Sequence, residues 1–334
     1  MISKLRIGVL VIILNFFASV ATTWGQVENP SLLQMAVPSL NIAPDARGGG
    51  MGDMGAATLP DINSQYWNAA KYAFMGSKAG VSLSYTPWLR KLVNDVALVN
   101  MTGYYKLGNS DLQAISASLR YFSLGEVNIW ENIGDVPYGL NPYEMAFDVA
   151  YSRKLSESYS MAVTLRYIRS DMGTDQNEES NAGNAFSADI SGYLEKYVLM
   201  GNAEALWSFG FNLSNIGSKI SYDGGNTNQY LPAKLTLGTG LLYPIDDYNQ
   251  IGVYLDLNKY MVPYAPQKEE GETDADYQTR VDDYKSWSSL SGMLKSFTDS
   301  PNGLLKEIMV SVGAEYSYNP VSYTHLTLPT NREV

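Results

Sequence analysis

From residue 79 onward, apolar and polar side chains alternate along the chain with a period of two. Val81, Leu83 and Tyr85, for example, alternate with polar residues. Because successive side chains of a strand point to opposite faces of a sheet, this pattern predicts strands with one apolar and one polar face. The pattern recurs in ten segments. We predict strands at residues 80–87, 94–106, 112–123, 142–153, 159–170, 183–199, 204–215, 232–245, 250–260 and 307–318.

The length of these strands and the character of their polar face separate two classes of β protein. Alternation also occurs in soluble sandwiches, but many of these segments reach about ten residues, as a tilted strand across a bilayer requires. The polar face carries Gly, Ser, Thr and Asn with scattered charges. That face suits the polar interior of a barrel whose apolar face contacts lipid. We therefore predict an all-β fold, an antiparallel outer-membrane β-barrel.

The predicted connections alternate between short and long. The short ones are residues 107–111, 154–158, 200–203 and 246–249, and the long ones are residues 88–93, 124–141, 171–182, 217–231 and 261–306. Short turns on one side and long loops on the other are typical of outer-membrane barrels. We place the N-terminus in the periplasm, so that the first strand runs outward and the long loops are extracellular.

The N-terminus has the features of a secretory signal peptide. Lys4 and Arg6 precede an apolar run at residues 7–21, which is too short for a membrane-spanning helix. We predict a signal peptide at residues 1–25 and hence export. No later segment approaches twenty consecutive apolar residues, which argues against a helical membrane protein.

Residues 44–72 are too polar and too rich in glycine to be a strand of the series. Their glycines allow tight folding, and small and aromatic residues supply packing surface. We predict that residues 26–79 form a hatch, a segment around which the barrel closes. The hatch residues that we single out are Asp45, Arg47, Gly50, Gly52, Asp53 and Asn68.

Composition excludes several other functions. A net charge of -11 argues against nucleic acid as a partner, because phosphate binding needs clustered Lys and Arg. The chain has no cysteine, and its sole histidine is His325 in the tail, so we expect no enzyme activity. Gly50, Gly52 and Gly55 match a dinucleotide fingerprint, but without the βαβ unit that it needs. We expect no metal and no cofactor.

The longest loop contains a predicted helix at residues 274–297. Its apolar residues recur at helical spacing as one stripe: Tyr277, Val281, Tyr284, Trp287, Leu290, Leu294 and Phe297. The stripe suits either packing over the barrel rim or binding of a partner. Residues 320–334 end in polar and charged residues and not in an amphipathic strand with a final aromatic residue. We interpret them as a non-native tail after an incomplete barrel at residues 80–319.

Three stretches carry a resemblance to a known family. They are the Pro44–Arg47 tetrapeptide with the glycines after it, the Asn68–Phe74 heptapeptide, and KAGVSLSYTPWLRKLVND at residues 78–95. Together they resemble the PorV family, outer-membrane barrels of the type IX secretion system of Bacteroidetes, which are similar to the FadL fatty-acid transporters. The resemblance extends to about residue 319. Ala69 departs from it, since the family has proline there, and the loss should loosen the turn.

The resemblance implies a FadL-like barrel of about 14 strands with an N-terminal hatch, in the cell outer membrane among its lipid and lipopolysaccharide. It also implies a carrier that binds the C-terminal signal domain of secreted cargo. Its further partners would be the translocon and the sortase-like subunits of an attachment complex. The alternatives are a FadL-like transporter of hydrophobic small molecules and a purely structural barrel.

A folded signal domain is too large for a lumen that already holds a hatch, so we expect cargo to bind at the long loops. Aromatic residues dominate the energetics of interfaces, and the loops carry several of them. An equally weighted alternative is that these aromatic residues form only a membrane-interface girdle and the loop core. The candidate cargo-binding residues are Trp88, Leu89, Trp130, Tyr138, Tyr284 and Trp287.

Overall fold

The computed structural model describes residues 33–88, 95–108, 111–129, 136–173, 182–201, 203–223, 228–269, 271–298, 303–318 and 322–327. Eleven of its strands form one antiparallel sheet in which neighbours in sequence are neighbours in space, and β4 and β5 form a separate hairpin. The strands are β1 Ala79–Pro87, β2 Val96–Leu107, β3 Gln113–Leu124, β4 Val127–Ile129, β5 Tyr138–Leu140, β6 Tyr143–Lys154, β7 Tyr159–Asp171, β8 Gly183–Met200, β9 Ala203–Gly217, β10 Lys234–Pro244, β11 Asn249–Tyr260, β12 Met309–Tyr318 and β13 Ser322–Thr327.

All ten predicted strands are confirmed, with ends that differ from the prediction by at most two residues. The period of two is reliable here because the two faces of the sheet differ so strongly in polarity. The structure adds two features to the prediction. These are the β4–β5 hairpin inside a long loop, and β13, which pairs with β12 inside the predicted non-native tail. The origin of the tail stays a prediction.

The sheet has its polar residues inside and its apolar residues outside. Val81 and Leu83 are each 72% exposed on the outer face, whereas Asp148, Arg166 and Asp256 are buried on the inner face. A soluble protein buries its large apolar residues and exposes its charged ones. The reversal is the arrangement of an outer-membrane barrel, and the fold is all-β and antiparallel as predicted.

The N-terminal segment, residues 33–75, lies against the inner face of the sheet. At one end of the strand order, the Ser84 hydroxyl of β1 donates to the Pro44 carbonyl at 2.6 Å. Near the other end, Arg47 forms an ion pair with Glu315 of β12 at 2.8 Å. Because one short segment contacts strands so far apart in the order, the sheet must be wrapped around it.

The segment runs from one end of the sheet to the other. Its first residues pack with side chains beside the long connections, which we call the long-loop end: Ala36, Val37 and Leu40 contact Ala146, Ile168, Ala185, Ile220 and Leu231. Its last residues pack beside the short connections, at the short-turn end: Ala69, Ala70 and Tyr72 contact Tyr104, Ala114, Ala150, Ala162 and Tyr193. β1 then starts at the short-turn end, as predicted, since Ala79 pairs with Tyr105.

The direction in which the hatch runs through the interior corrects the predicted position of the N-terminal segment. We placed the chain before the first strand at the same end as the short turns, but its first described residues lie at the opposite end. The physical reason is apolar burial, since Val37 and Leu40 are almost fully buried among apolar neighbours at the long-loop end.

Short helices occupy the hatch and the longest loop. They are α1 Ala46–Gly50, α2 Ser64–Trp67, α3 Asp274–Ser286 and α4 Ser289–Lys295, with 3-10 turns at Pro38–Asn41, Ala69–Phe74 and Leu304–Glu307. None of the helices in the described part of the chain combines the length and apolarity that crossing a membrane requires.

The single helix predicted at residues 274–297 is wrong, because the structure has two helices there. Trp287 has an extended backbone, and the Ser288 side chain caps α4 by accepting a hydrogen bond from the Ser291 N–H. The change of direction disrupts the predicted stripe. α4 buries Gly292 and Met293 and leaves Leu294 73% exposed.

Candidate functional site

Trp67 lies at the centre of the packed hatch. Its indole Nε1 donates to the Asp45 carboxylate at 2.8 Å, and the same carboxylate caps α1 by accepting from the Gly48 N–H at 2.7 Å. Burial raises the pKa of Asp45, and these two hydrogen bonds oppose that rise by favouring the charged form. Asp45 therefore fixes both the start of α1 and the orientation of the indole ring.

Two glycines let the hatch backbone approach this ring closely. A Cβ atom on Gly48 or on Gly55 would lie 2.3 Å from an atom of Trp67, closer than any real contact. Gly52 has a φ of 79°, a left-handed conformation that favours glycine. Gly50, by contrast, has a helical backbone within α1. Gly52 is therefore needed for its backbone conformation, whereas Gly48 and Gly55 are needed for close packing against Trp67.

Asn68 connects the hatch to the wall. Its Nδ2 donates to the Ala56 carbonyl and to the Gly192 carbonyl of β8, each at 2.9 Å, and its Oδ1 accepts from the Ala70 N–H. Ala69 occupies the first position of the following 3-10 turn. Proline is well tolerated at such a first position, which explains how either residue fits there.

Arg47 joins two parts of the hatch and also contacts the wall. Its guanidinium contacts Asp61 at 2.6 Å and Glu315 of β12 at 2.8 Å. Asp53, the remaining predicted hatch residue, follows Gly52 with a positive φ of 57° and lines a small internal cavity. Of the six predicted hatch residues, Asp45, Arg47 and Asn68 make the side-chain contacts described above, Gly52 and Asp53 have positive φ angles, and Gly50 lies in α1.

Asp256 of β11 is a hatch contact that the sequence did not single out. Its Oδ2 accepts from the Gly55 N–H at 2.9 Å and the Ala56 N–H at 3.1 Å. Glycines on the next two strands make room for this approach, since a Cβ on Gly238 of β10 would lie 2.2 Å from Asp256 Oδ1 and one on Gly210 of β9 would lie 1.9 Å from the Ala56 carbonyl oxygen. An aspartate on the polar face of a strand with glycines across from it is the sequence signal that was available.

Lys71 is fully buried inside the hatch. Its Nζ donates to the Gly55 carbonyl at 2.9 Å and to the Thr58 hydroxyl at 3.1 Å. None of the described carboxylates forms a direct ion pair with it. Burial is therefore the main influence and lowers the pKa of Lys71 to about 8, while the more distant Asp61, Asp45 and Asp256 oppose the shift.

This shift predicts a pH dependence of hatch stability. Between pH 8 and 10.5 the unfolded chain binds more protons at Lys71 than the folded chain does. The free energy of unfolding should therefore rise with pH across this window, by up to about 3 kcal/mol, and the full penalty should be present below it. Denaturant unfolding in detergent micelles checks this, with Lys71→Met as the reference because tyrosines also titrate. Equal pH slopes for the two proteins would contradict the prediction.

A second buried network lies in the wall. Arg166 of β7 contacts Asp148 of β6 at 2.7 Å and Asp189 of β8 at 2.9 Å, and it also donates to Asn215 of β9. Ser118 of β3 donates to Asp148 at 3.1 Å. One guanidinium thus organises five neighbouring strands around a pair of carboxylates.

Little space remains between the hatch and the wall. The described residues enclose a cavity of about 20 Å³, which is room for about one water molecule. Its lining is mainly polar and charged and includes Asp53, Arg120, Asp148, Arg166, Asn212, Lys234, Asp256 and Asn258. This cavity is far too small to hold an apolar small molecule.

The structure brings together two of the six candidate cargo-binding residues. The rings of Tyr284 and Trp287 lie 5.7 Å apart, and Tyr284 packs at the same distance on Tyr230. Trp88 is exposed at the end of β1. Leu89, Trp130 and the side chain of Tyr138 lie outside the described residues.

The exposed apolar residues near this aromatic cluster were not among the candidates. Leu290 and Leu294 of α4 are exposed, whereas Tyr284 and Trp287 are partly buried. Leu290 and Leu294 were predicted to lie in the apolar stripe of a single helix. Ser288, followed three residues later by Ser291, was the signal for a new helix start.

Comparison with known proteins gives the family. Residues 26–268 match the family described as type IX secretion system protein PorV, and a search of the curated proteins found no match. The matched region contains the hatch and the strands β1 to β11. The sheet with its apolar outer face fits an outer-membrane barrel. Because the match covers well over half of the chain, this protein belongs to the PorV family, components of the type IX secretion system.

Proposed function

We propose that this protein is a non-enzymatic cargo carrier of the type IX system in the outer membrane. In this proposal it binds the C-terminal signal domain of a secreted protein at the long-loop end, which faces the cell exterior. It receives the cargo from the translocon and passes it to the attachment complex with its sortase-like subunit. There the signal domain is removed and the cargo is joined to lipopolysaccharide.

The observation that supports this proposal best is the filled interior. Hatch contacts to β8, β11 and β12 through Asn68, Asp256 and Arg47 hold the hatch against the wall, and a cavity between them in the described residues measures only about 20 Å³. A folded domain cannot enter such a space. In this proposal a protein partner therefore binds outside the barrel interior, at the long loops.

Within the long loops, α3 and α4 provide the most suitable docking surface. Tyr284 packs on Tyr230, the Lys219 ammonium lies 4.3 Å from the Tyr230 ring, and Lys295 lies 3.6 Å from the Trp287 ring. These contacts hold the helices in place. Leu290 and Leu294 then project from a fixed support, and exposed apolar residues on a fixed support are typical of protein interfaces.

The filled interior also weighs against a transporter of hydrophobic small molecules. A fatty-acyl chain needs a pocket of at least a few hundred Å³ with mostly apolar walls. The cavity in the described interior is more than tenfold smaller, and charged residues line much of it. We therefore favour protein cargo over a lipid substrate.

Changing the exposed leucines of α4 should separate cargo binding from barrel assembly. We expect Leu290→Asp with Leu294→Asp to lower the cargo that co-purifies with the protein by about tenfold or more, because a buried charge opposes an apolar contact. Deleting residues 271–300 should abolish cargo release to the surface. Both variants should still reach the outer membrane, which cell fractionation checks.

The matched control is Leu155→Asp, an equally simple change of an exposed leucine at the short-turn end. It should leave the yield of cargo unchanged. Undiminished cargo in the deletion variant would show that α3 and α4 are not the docking site.

A further inference from the structure

The hairpin that joins β8 to β9 projects beyond its neighbour at the short-turn end. β8 runs to Met200, but β7 begins only at Tyr159, which pairs with Leu194. The last hydrogen bond on that side joins the Glu195 N–H to the Ser158 carbonyl at 2.9 Å. In the described part of the chain nothing pairs with this side of residues 196–200. They form a free strand edge in the middle of the sheet, because β8 is the sixth of eleven strands in the order.

The free edge presents the backbone groups of two residues. In an antiparallel ladder, successive residues direct their N–H and C=O groups to alternate sides. Glu195 directs its N–H toward β7, so Tyr197 and Leu199 direct theirs to the same side, and Val198 bonds on the β9 side. Unpaired N–H and C=O groups along an edge are a template for another strand.

The side chains of the same two residues make an apolar surface beside this edge. By the alternation along β8, Tyr197 and Leu199 lie on the face of Tyr193, the inner face of the sheet. Tyr193 is covered by Phe74 of the hatch, with ring centroids 5.4 Å apart. The hatch ends there, so Tyr197 is 67% exposed and Leu199 is 77% exposed.

We propose that this edge is a docking site for an extended segment of a partner polypeptide. The segment adds as a strand beside residues 196–200 and covers Tyr197 and Leu199. A strand is the occupant that the chemistry selects, because it supplies donors, acceptors and alternating side chains together. A lipid chain would cover the side chains but leave the backbone groups unpaired. This proposal rests on the outer-membrane placement proposed above, in which the short turns face the periplasm.

Photo-crosslinking in cells that carry the full-length chain tests the proposal. The probe is p-benzoylphenylalanine, placed at Tyr197 in one variant and at Leu199 in another. Both probes should crosslink to the same polypeptide, at positions about two residues apart, as expected for a paired strand. The control is the same probe at Tyr248, which is 60% exposed in another short turn and should not give this crosslink. Absence of a crosslink, scattered positions or crosslinks to lipid alone would overturn the proposal.

A pair of substitutions at Leu199 distinguishes strand pairing from simple apolar contact. Leu199→Pro removes the N–H that faces the free edge and leaves the β9 ladder intact, since proline is tolerated where the N–H faces away from a ladder. It should reduce the crosslink from the Tyr197 probe about tenfold. Leu199→Ala keeps the N–H and should reduce the crosslink less. An equal loss in both variants, or none in Leu199→Pro, would overturn the pairing.

Amide hydrogen exchange provides a measurement that does not depend on the variants. In the purified protein, the Tyr197 and Leu199 amides should exchange faster than the Val198 amide, because only Val198 is paired. Equal protection of the three amides would show that the edge is not free. Repeating the crosslinking in the variant that lacks residues 271–300 tests this contact independently of cargo docking at the long-loop end.

Discussion

Replacing Gly48 with alanine is expected to prevent the hatch from packing normally. The added Cβ would lie 2.3 Å from Cζ2 of Trp67 and 2.8 Å from its Nε1, the atom that donates to Asp45. The ring cannot move without losing this hydrogen bond, because it is almost fully buried. We expect a loss of about 3 kcal/mol or more in the free energy of unfolding, measured by denaturant unfolding in detergent micelles.

The neighbouring residue supplies a matched control. A Cβ on Gly49 would meet only Ala43, at an ordinary 3.9 Å, and Gly49 lies in the same helix as Gly48. Gly49→Ala should therefore be neutral or slightly stabilising, since alanine favours helix over glycine. Combining Gly48→Ala with Trp67→Leu should recover part of the loss. Equal stability of the two alanine variants would show that Trp67 does not constrain the hatch.

Replacing Arg166 with methionine is expected to destabilise the wall by about 3–5 kcal/mol. The substitution removes the cation between Asp148 and Asp189, and both carboxylates are buried. Two uncompensated negative charges then remain inside the barrel. Loss of heat-modifiable migration on a gel, together with a lower unfolding midpoint, would be the observable result.

Charge removal and charge retention serve as two controls for Arg166. Adding Asp148→Asn and Asp189→Asn to Arg166→Met should restore much of the stability, because the buried charges are then absent. Arg166→Lys keeps the charge but not the planar donor fork that contacts both carboxylates, so an intermediate stability is expected. A triple variant no more stable than Arg166→Met would mean that packing, and not charge, explains the effect.

The strands could be predicted from sequence because each one carries the same two-faced pattern, with apolar residues on one side and polar residues on the other. Val81 and Leu83 belong to an apolar face at any plausible register. The packing of the hatch was partly predictable, since Ala56, Ala57 and Tyr72 are buried as small and aromatic residues suggest. Asn68, singled out as a hatch residue, also caps the 3-10 turn that follows it.

Features that depend on contacts distant in sequence could not be predicted. Gly50 was expected to matter, but the close contacts belong to Gly48 and Gly55, which only the position of Trp67 reveals. The entry of the hatch at the long-loop end depends on apolar neighbours from several strands. The free edge of β8 depends on where β7 begins, which is a difference of a few residues that periodicity does not resolve.

The course of the hatch places a condition on how the molecule forms. Residues 33–75 run through the interior from the long-loop end to the short-turn end and continue directly into β1. A hatch threaded in this way is not a separate body that can be inserted into a complete wall, because its C-terminal end leads into β1. The hatch and the wall are one continuous chain, so the hatch stays joined to β1 at every stage of assembly.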